Sequence, residues 1–246
     1  KIKRIFDSFS YRQTFIFAIL AIIIIVSAVS ILGKINKHFM IEIPERGGTL
    51  TEGIFGSPRF VNPIIAASDT DRDLSALIFS GLMRKTPSGE IVPDMAEGYA
   101  VSEAGLTYTF KLKPDAVFHD KTPLTADDVV FTIERIKDSE IKSPLEAIWD
   151  GVSVSRGDDQ LTVIFRLSRG YASFLENTTV GILPKHLWEK IGPEQFSFSD
   201  LNIKAIGSGP YRISNISEKS GELIEEYNLR SWKDYAGTRP YITNID

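Results

Sequence analysis

The chain has 246 residues, 43% of them hydrophobic, which is enough apolar material for one or two domains with a real core. Its net charge of −4 is uneven, because residues 1–46 carry a net charge of +4 and residues 47–246 carry −8. An acidic body argues against a nucleic-acid partner, which would require a basic face. The absence of cysteine excludes a disulfide framework, a thiolate zinc site and a lipid-modified cysteine.

Residues 14–33 form an uncharged apolar run. As a helix it would measure roughly 30 Å, the thickness of a bilayer core. Basic residues precede the run, which predicts a cytoplasmic N-terminus and a body outside the membrane. The run is longer than the apolar part of an ordinary signal peptide, so we favour a retained anchor over a segment cleaved near residues 28–30. Residues 34–46 are predicted to be a polar linker.

The body is predicted to start with a strand at residues 49–54. A loop follows at residues 57–63, and its two prolines favour an extended backbone. Ser68 and Asp71 have the spacing of a capping box, which predicts the start of a helix. The apolar face of this helix is expected to contain Leu74, Leu77, Ile78 and Leu82.

Residues 95–138 are the best-patterned stretch of the chain. Strict alternation over residues 106–113 predicts a strand with one buried face, and Pro114 ends it because proline cannot donate to a ladder. Thr125 stands three residues before Asp128, again the spacing of a capping box. The helix that follows has apolar residues at helical spacing, namely Val129, Val130, Ile133 and Ile136.

The rest of the chain reads as short elements. Alternating residues predict a hairpin with strands around residues 152–154 and 161–167. Short helices are expected at residues 171–177 and from Pro184, which would occupy the first turn, and a surface loop is expected at residues 192–205. A glycine turn at residues 207–211 then leads into two pairing strands, residues 211–216 and 223–227. Lys1 at the start and the strand-like run at residues 241–245 lead us to expect a fragment of a longer protein.

The candidate chemical groups favour binding over catalysis. His119 and Asp120 could begin a metal site, but an Asp in a turn usually accepts a local backbone hydrogen bond. Asp127 and Asp128 could be paired carboxylates, but their place in a first helical turn is better explained by capping. The glycine turn lacks the lysine of a phosphate-binding loop. We therefore predict no catalytic residue, no metal site and no cofactor.

Several motifs, in the same order, resemble the peptide/nickel-type extracellular solute-binding proteins of ABC transporters. The signature region is represented by Pro93-Asp94-Met95-Ala96-Glu97, Gly105-Leu106-Thr107-Tyr108-Thr109-Phe110, Phe118-His119-Asp120 and Thr122-Pro123-Leu124-Thr125-Ala126-Asp127-Asp128. Three further matches are Gly47-Gly48-Thr49-Leu50 with Asn62-Pro63, Ile182-Leu183-Pro184-Lys185-His186, and Gly207-Ser208-Gly209-Pro210-Tyr211. The chain departs from the family pattern at Lys121, where glycine is usual.

The resemblance implies a mixed α/β fold, the first lobe of a type II periplasmic-binding-protein-like molecule, with an extra α/β subdomain and one N-terminal transmembrane helix. Residues 47–82 and 205–246 would form the core of this lobe, and residues 83–204 the extra subdomain. The second lobe would be missing. The two lobes of such proteins close on the ligand by a hinge motion.

The resemblance also implies a function. The chain would be the solute-binding component of an ABC importer, anchored in the cell membrane with its body on the extracytoplasmic side. It would capture an oligopeptide or similar solute and deliver it to the permease, with no nucleic-acid partner. The ligand-binding residues expected in this lobe are Ser57, Phe60, Val61, Asn62, Gly209 and Tyr211.

Alternatives remain open at the level of sequence. An exported hydrolase-like enzyme on the same scaffold would need a clustered nucleophile and base. A sensor or interaction module could keep the fold without taking part in transport. Within the transport reading, nickel, haem or sugar are alternative ligands to peptide.

Overall fold

The computed structural model describes residues 10–39, 45–171, 173–219 and 223–246. The chain divides into two compact units, Lys1–Glu45 and Arg46–Asp246. The first contains helix α1 (Tyr11–Phe39), which is exposed along residues 10–36 and is long and apolar enough to cross a membrane between Tyr11 and Asn36. The helix covers the predicted apolar run and extends beyond it. Residues 34–39 are therefore helical, and the predicted linker is wrong there; residues 40–44 lie outside the described residues.

The second unit, the body, holds the remaining elements. In chain order they are β1 (Gly47–Leu50), α2 (Asp69–Ile78), β2 (Met83–Lys85), β3 (Ile91–Pro93), β4 (Ala96–Val101), β5 (Thr107–Leu112), α3 (Ala126–Lys137), β6 (Val152–Arg156), β7 (Thr162–Leu167), α4 (Phe174–Asn177), α5 (Lys185–Trp188), α6 (Pro193–Phe196), β8 (Tyr211–Lys219), β9 (Leu223–Ser231) and β10 (Ile242–Ile245). Two 3-10 helices, Glu146–Trp149 and Asp200–Asn202, lie between them.

Three sheets organise the body. The first has the strand order β1-β10-β9-β8, with β1 parallel to β10 and the other pairs antiparallel. The second is the ribbon of β2 and β3, and the third is the antiparallel sheet β4-β5-β7-β6. The predicted hairpin is confirmed as β6 and β7. The first strand ends at Leu50, four residues earlier than predicted.

Both predicted capping boxes are confirmed. At α2, Ser68 Oγ accepts the Asp71 N–H (3.1 Å) and Asp71 Oδ2 accepts the Ser68 N–H (3.2 Å). At α3, Asp128 Oδ2 accepts from Thr125 N (2.9 Å) and Thr125 Oγ1 (2.8 Å). Each box satisfies amide donors that the first turn of a helix leaves free. Leu82 lies beyond the end of α2, so it belongs to the core without being part of the helix.

An aromatic cluster fills the core between α3 and the third sheet. Phe165 meets Phe110 edge-on with ring centroids 5.7 Å apart, and it packs on Trp149 at 5.8 Å and Phe174 at 5.5 Å. These four side chains are fully buried. Helix α3 contacts β6 and β7 directly. Val129, Ile133 and Ile136 of the apolar face predicted for α3 are buried, whereas Val130 is half-buried.

The predicted surface loop at residues 192–205 is wrong in one respect: the segment lies largely at the surface, but it contains helical turns. Helix α6 and a 3-10 helix occupy this segment, and they bury Phe196 and Asn202. Phe196 stacks on Trp188 with ring centroids 4.4 Å apart. Short helices of this length carry little periodicity, so polar residues around them gave the appearance of a loop. Pro184 also differs from prediction, since it precedes α5 as the cap residue.

Candidate functional site

A groove of about 340 Å³, here called the central groove, opens beside α2. Its apolar lining includes Phe79, Leu145, Ile148 and Val180. Helix α2 forms one wall, and the segments at residues 145–148 and 176–181 form the other. The groove therefore lies between α2, the first helix of the body, and the part of the body that contains the third sheet. Pockets with apolar walls and a few convergent polar groups at such junctions are the usual place for small ligands.

Polar side chains of the central groove are held in fixed positions. The Arg72 guanidinium donates to the Ala67 carbonyl (2.7 Å) and to Asp69 Oδ1 (2.5 Å). Asn177 Nδ2 donates to the Ile148 carbonyl (2.9 Å) and to Tyr171 Oη (2.8 Å). Because these bonds order the side chains in advance, a ligand would lose less conformational entropy on meeting them.

Ser75 adds a buried polar atom to the same groove. The residue is only 5% exposed, and its Oγ has no hydrogen-bond partner among the described residues. A buried hydroxyl without a partner costs free energy until a ligand or water satisfies it. On the opposite wall, Glu176 forms a long, exposed ion pair with Lys85, at 3.9 Å. The groove thus offers a hydroxyl, an amide and charges of both signs.

The carboxylate of Asp71 connects α2 to the loop at residues 57–63, which is predicted to contact ligand. Asp71 Oδ1 accepts the N–H groups of Arg59 (2.7 Å) and Phe60 (3.0 Å). Burial of Asp71 opposes ionisation, but the N–H donors of Phe60, Arg59 and Ser68 outweigh it and hold the pKa of the carboxyl below its usual value. The loop geometry therefore depends on the ionised form of Asp71.

The predicted ligand-binding residues of that loop differ in their exposure to solvent. Ser57 is exposed and Phe60 is half-buried. Val61 and Asn62 are fully buried, with the Val61 N–H donating to the Asn202 carbonyl (2.7 Å) and Asn62 Nδ2 donating to Asn202 Oδ1 (2.9 Å). The two buried residues join the loop to the segment after α6.

The predicted residues of the glycine turn are also buried. Gly209 donates its N–H to the Ile78 carbonyl (2.8 Å), and a Cβ on Gly209 would lie 2.6 Å from that carbonyl. Tyr211 Oη donates to the Ile242 carbonyl (3.0 Å), and burial raises the pKa of the Tyr211 phenol. Neither residue lines the central groove.

His119 fastens the same glycine turn from the other side. Its Nε2 lies 3.1 Å from the Gly209 carbonyl, and its Nδ1 accepts the Gly207 N–H at 3.3 Å. These partners require a neutral ring with the proton on Nε2. Burial is the main reason that the pKa of His119 falls to about 4; the Gly209 carbonyl and Asp120 oppose the shift, and Arg212 adds to it. The role of His119 is therefore structural, because its ring holds the glycine turn in place.

The histidine and carboxylate candidates do not form a metal site in the described part of the chain, where no group of three or more potential ligands occurs. Asp120 Oδ1 accepts the Thr122 N–H (3.0 Å), the local turn bond expected of it. Its other oxygen lies 2.7 Å from His186 Nε2. Asp128 caps α3 and also accepts the Lys185 N–H (2.9 Å), as a structural carboxylate does. Capping is therefore the confirmed role of Asp128.

Sequence reasoning missed the residues that line the central groove. Arg72 sits on the polar face of a predicted helix, where charged residues are ordinary. Leu145 precedes a one-turn 3-10 helix that contains Ile148, and Glu176 and Asn177 end a short helix. Glu176 and Asn177, the two polar residues that end α4, were a weak indication of a binding site. Their proximity to α2 is a long-range contact, which no local sequence pattern predicts.

Comparison with known proteins now identifies the family. The family model for bacterial extracellular solute-binding proteins, family 5, matches residues 90–246. The chain belongs to this family. Its members are solute-binding proteins, and the resemblance drawn from the motifs is confirmed.

Individual relatives agree. The oligopeptide-binding protein AppA of Bacillus subtilis is 28% identical over 205 residues, covering 82% of this chain and 37% of AppA. The dipeptide-binding protein of Escherichia coli is 30% identical over 218 residues, covering 77% of this chain and 38% of its own length.

Solved structures confirm the fold. AppA in complex with a nonapeptide superposes with a TM-score of 0.73 at 29% identity, covering 82% of this chain and 40% of AppA. The ABC transporter substrate-binding protein CtaP of Listeria monocytogenes gives a TM-score of 0.70 at 33% identity, with coverage of 82% and 40%. The chain thus spans about two fifths of the length of these relatives. The predicted α/β periplasmic-binding-protein fold is confirmed for this part.

Proposed function

We propose that this chain supplies one lobe of the solute-binding component of an ABC importer that captures oligopeptides. The observation that carries the proposal is the central groove, with its apolar walls and ordered polar groups, in a member of a solute-binding family. The mechanism would be capture, closure of the two lobes and delivery to a permease, with no covalent chemistry.

A peptide suits the chemistry of the central groove. Apolar side chains of a peptide would pack on Leu145 and Ile148, and its polar backbone would meet the Ser75 hydroxyl and the fixed amide of Asn177. Arg72 and Glu176 supply charges of opposite sign for a zwitterionic ligand. Extended peptides are commonly held through backbone bonds, with side-chain pockets supplying the selectivity.

The six residues predicted from the sequence stay proposed ligand-contacting or supporting residues, and none of them lines the central groove itself. Ser57 and Phe60 would offer surface to the ligand. The four buried residues, Val61, Asn62, Gly209 and Tyr211, would act by fixing the backbones of their loops. The division into a core (residues 47–82 and 205–246) and an extra subdomain (residues 83–204) is likewise proposed.

Helix α1 would hold the protein in the cell membrane with its body on the extracytoplasmic side. The basic residues before the apolar run favour this orientation. An anchored binding component would stay close to its permease, which raises the effective concentration of loaded protein. The partners proposed are thus the peptide, the permease subunits and the membrane.

Calorimetry of the intact protein in mild detergent tests the proposal with peptides of defined length. We expect Ile148→Asp to raise the peptide Kd by about tenfold, because a charge would replace part of the apolar wall. Ile54→Asp is the matched control, since Ile54 is 43% exposed and Ile148 is 44% exposed, but Ile54 lies outside the central groove. Absence of heat with peptides of every length would overturn the proposal, and so would equal losses in the two variants.

A further inference from the structure

A small cavity, here called the inner cavity, lies inside the body next to the central groove. It measures about 10 Å³ and shares one lining residue with the groove, the half-buried Val180. The other lining residues are buried, and the apolar ones include Val129, Ile133, Phe165 and Ile182. A cavity of this volume has about the space that one water molecule needs.

Three buried polar side chains, Trp149, Thr132 and Thr178, also line the inner cavity. Trp149 is fully buried, and its indole nitrogen has no hydrogen-bond partner among the described residues. An indole N–H can only donate, so it requires an acceptor. A buried donor without a partner costs free energy, and such groups in native proteins are usually satisfied by the protein or by an ordered water.

The two threonines can offer only acceptors to the cavity. A hydroxyl has one proton and two lone pairs. Thr178 Oγ1 donates its proton to the Leu175 carbonyl (2.7 Å), which leaves its lone pairs. Thr132 Oγ1 donates to the Asp128 carbonyl (2.7 Å) and accepts the Leu183 N–H (2.9 Å), which leaves one lone pair. The inner cavity thus combines one donor with two acceptors.

We infer that the inner cavity binds one water molecule, which accepts the Trp149 N–H and donates to Thr132 Oγ1 and Thr178 Oγ1. Water has both functions in a molecule of the right size, and buried waters typically make about three hydrogen bonds. A cation does not suit the site, because the lining contains no carboxylate and the indole N–H would repel it. An apolar molecule would leave the N–H unpaired.

This water connects the two segments that form one wall of the central groove. On the groove side, Asn177 Nδ2 donates to the Ile148 carbonyl (2.9 Å). Trp149 and Thr178 are the next residues along the chain, so the water bridge is a second connection between the same segments, on their inner side. Two neighbouring connections restrict rotation of the segments as well as their separation. The water is therefore a structural part of the groove wall.

Nuclear magnetic resonance tests the inference on the full chain in mild detergent, with ¹⁵N-labelled tryptophan. The chain has three tryptophans, and Trp149→Phe assigns the indole signal of Trp149. A water that stays bound for longer than the molecule takes to tumble gives water–indole cross-peaks of opposite sign in laboratory-frame and rotating-frame experiments. We expect such a pair of cross-peaks at the Trp149 indole proton.

Two variants with matched controls test the position of the water. Thr178→Val replaces an acceptor with a methyl group and is expected to abolish the cross-peaks. Thr179→Val is the control, because Thr179 Oγ1 makes an equivalent bond to the Glu176 carbonyl (2.7 Å) but does not line the inner cavity. Val129→Ile adds a methyl group to the cavity lining and is also expected to abolish the cross-peaks, whereas Val130→Ile retains them.

The Val129→Ile variant keeps all three polar groups. It therefore separates a bound water from proton exchange through a threonine hydroxyl, and it decides the question if Thr178→Val does not fold. Cross-peaks that are missing or of equal sign in the wild type would overturn the inference. So would cross-peaks that persist in folded Val129→Ile or Thr178→Val, or that are lost equally in Thr179→Val. No peptide is used, so failure of this inference and failure of the proposed function can be recognised separately.

Discussion

At the scale of single residues, the body depends on a few side chains that connect distant segments. His119 ties the loop before α3 to the glycine turn before β8 through two ring nitrogens. Asp71 ties the loop before α2 to the first turn of that helix. Both groups must keep one protonation state, neutral for His119 and ionised for Asp71. Stability therefore depends on pH in a direction that can be worked out.

The first prediction concerns His119. Its pKa is about 4 in the folded chain and 6.5 in the unfolded chain, so the unfolded state binds more protons between these values. Its contribution to stability is complete above about pH 6.5 and is lost as the pH falls toward 4. The slope is at most about 1.4 kcal/mol per pH unit. Urea unfolding followed by the fluorescence of the three tryptophans, all in the body, measures it.

The control for this prediction is His119→Gln. The variant is expected to be less stable at neutral pH, because it loses the ring contacts, and to show a flatter dependence on pH. The ionised Asp71 and Asp120 lose their contributions at lower pH, since their folded pKa values lie below 3.8. Parallel pH profiles for the wild type and His119→Gln would contradict the role of the ring.

The second prediction concerns Lys121, which stands where the resemblance leads us to expect glycine and has φ of 75°. A side chain in this left-handed region costs about 1 kcal/mol relative to glycine. Lys121 has compensating contacts: its Nζ lies 2.6 Å from Asp234 Oδ2 and 5.1 Å from the centre of the Trp232 ring. Lys142, with φ of 56°, has no such ion pair among the described residues.

We therefore expect Lys142→Gly to stabilise the body by about 1 kcal/mol and Lys121→Gly to stabilise it less. In an Asp234→Asn background, part of this difference should disappear, because the ion pair is already absent. Thermal unfolding of six proteins, the two backgrounds and the two glycine substitutions in each, provides the comparison. Equal gains from the two glycine substitutions in the original background would show that the contacts of Lys121 contribute nothing.

At the scale of elements, helix caps and close backbone approaches determine where segments begin and meet. The glycine turn brings its backbone against the end of α2, where the Gly209 N–H donates to the Ile78 carbonyl. The contact holds the start of β8 against α2. Such an approach is possible only without a side chain.

The third prediction follows from this contact. Gly209→Ala would place a Cβ 2.6 Å from the Ile78 carbonyl carbon, so the backbone must shift, at a cost of about 3 kcal/mol. Gly98→Ala is the matched control, because a Cβ there meets nothing within 4 Å and its φ is not positive. It should change stability by no more than about 0.5 kcal/mol. Similar denaturation midpoints for the two variants would disprove the close packing.

At the scale of the whole molecule, the chain combines a long apolar helix with an acidic body. The helix satisfies its own backbone hydrogen bonds, as a bilayer requires, and exposes its apolar side chains along residues 10–36. The body belongs to a family of solute-binding proteins. The anchored binding component proposed above would account for both features together.

The fourth prediction tests the anchor. The protein should remain in the membrane pellet after an alkaline wash, with an N-terminus upstream of residue 14. Ile23→Lys combined with Ile24→Lys should release it, because each charge at the centre of a span costs about 2.5–3.5 kcal/mol. Ile148→Lys, outside the helix, serves as the control. Wild-type protein in the soluble fraction with a mature N-terminus at Ile31 would show cleavage instead.

The sequence by itself determined the local structure and the family. The capping boxes at Ser68 and Thr125, the hairpin of β6 and β7, and the apolar helix all depend on residues within a few positions of each other. Such short-range patterns can be recognised in a single sequence, because the spacing of apolar residues along a helix or a strand indicates which side chains are buried. The motifs were specific enough to identify the family because their order matched as well as their residues.

Only the tertiary structure shows which residues come together to form grooves on the surface. It brought α2 together with residues 145–148 and 176–181 to form the central groove, and with β9 and β10 to form a second groove on the other flank of α2. It also buried Phe196 and Asn202 within the segment at residues 192–205 and paired Asp120 with His186. These contacts join residues far apart in the chain, and their free energy comes from packing between elements. No local pattern encodes that packing, so the grooves appear only when the chain is folded.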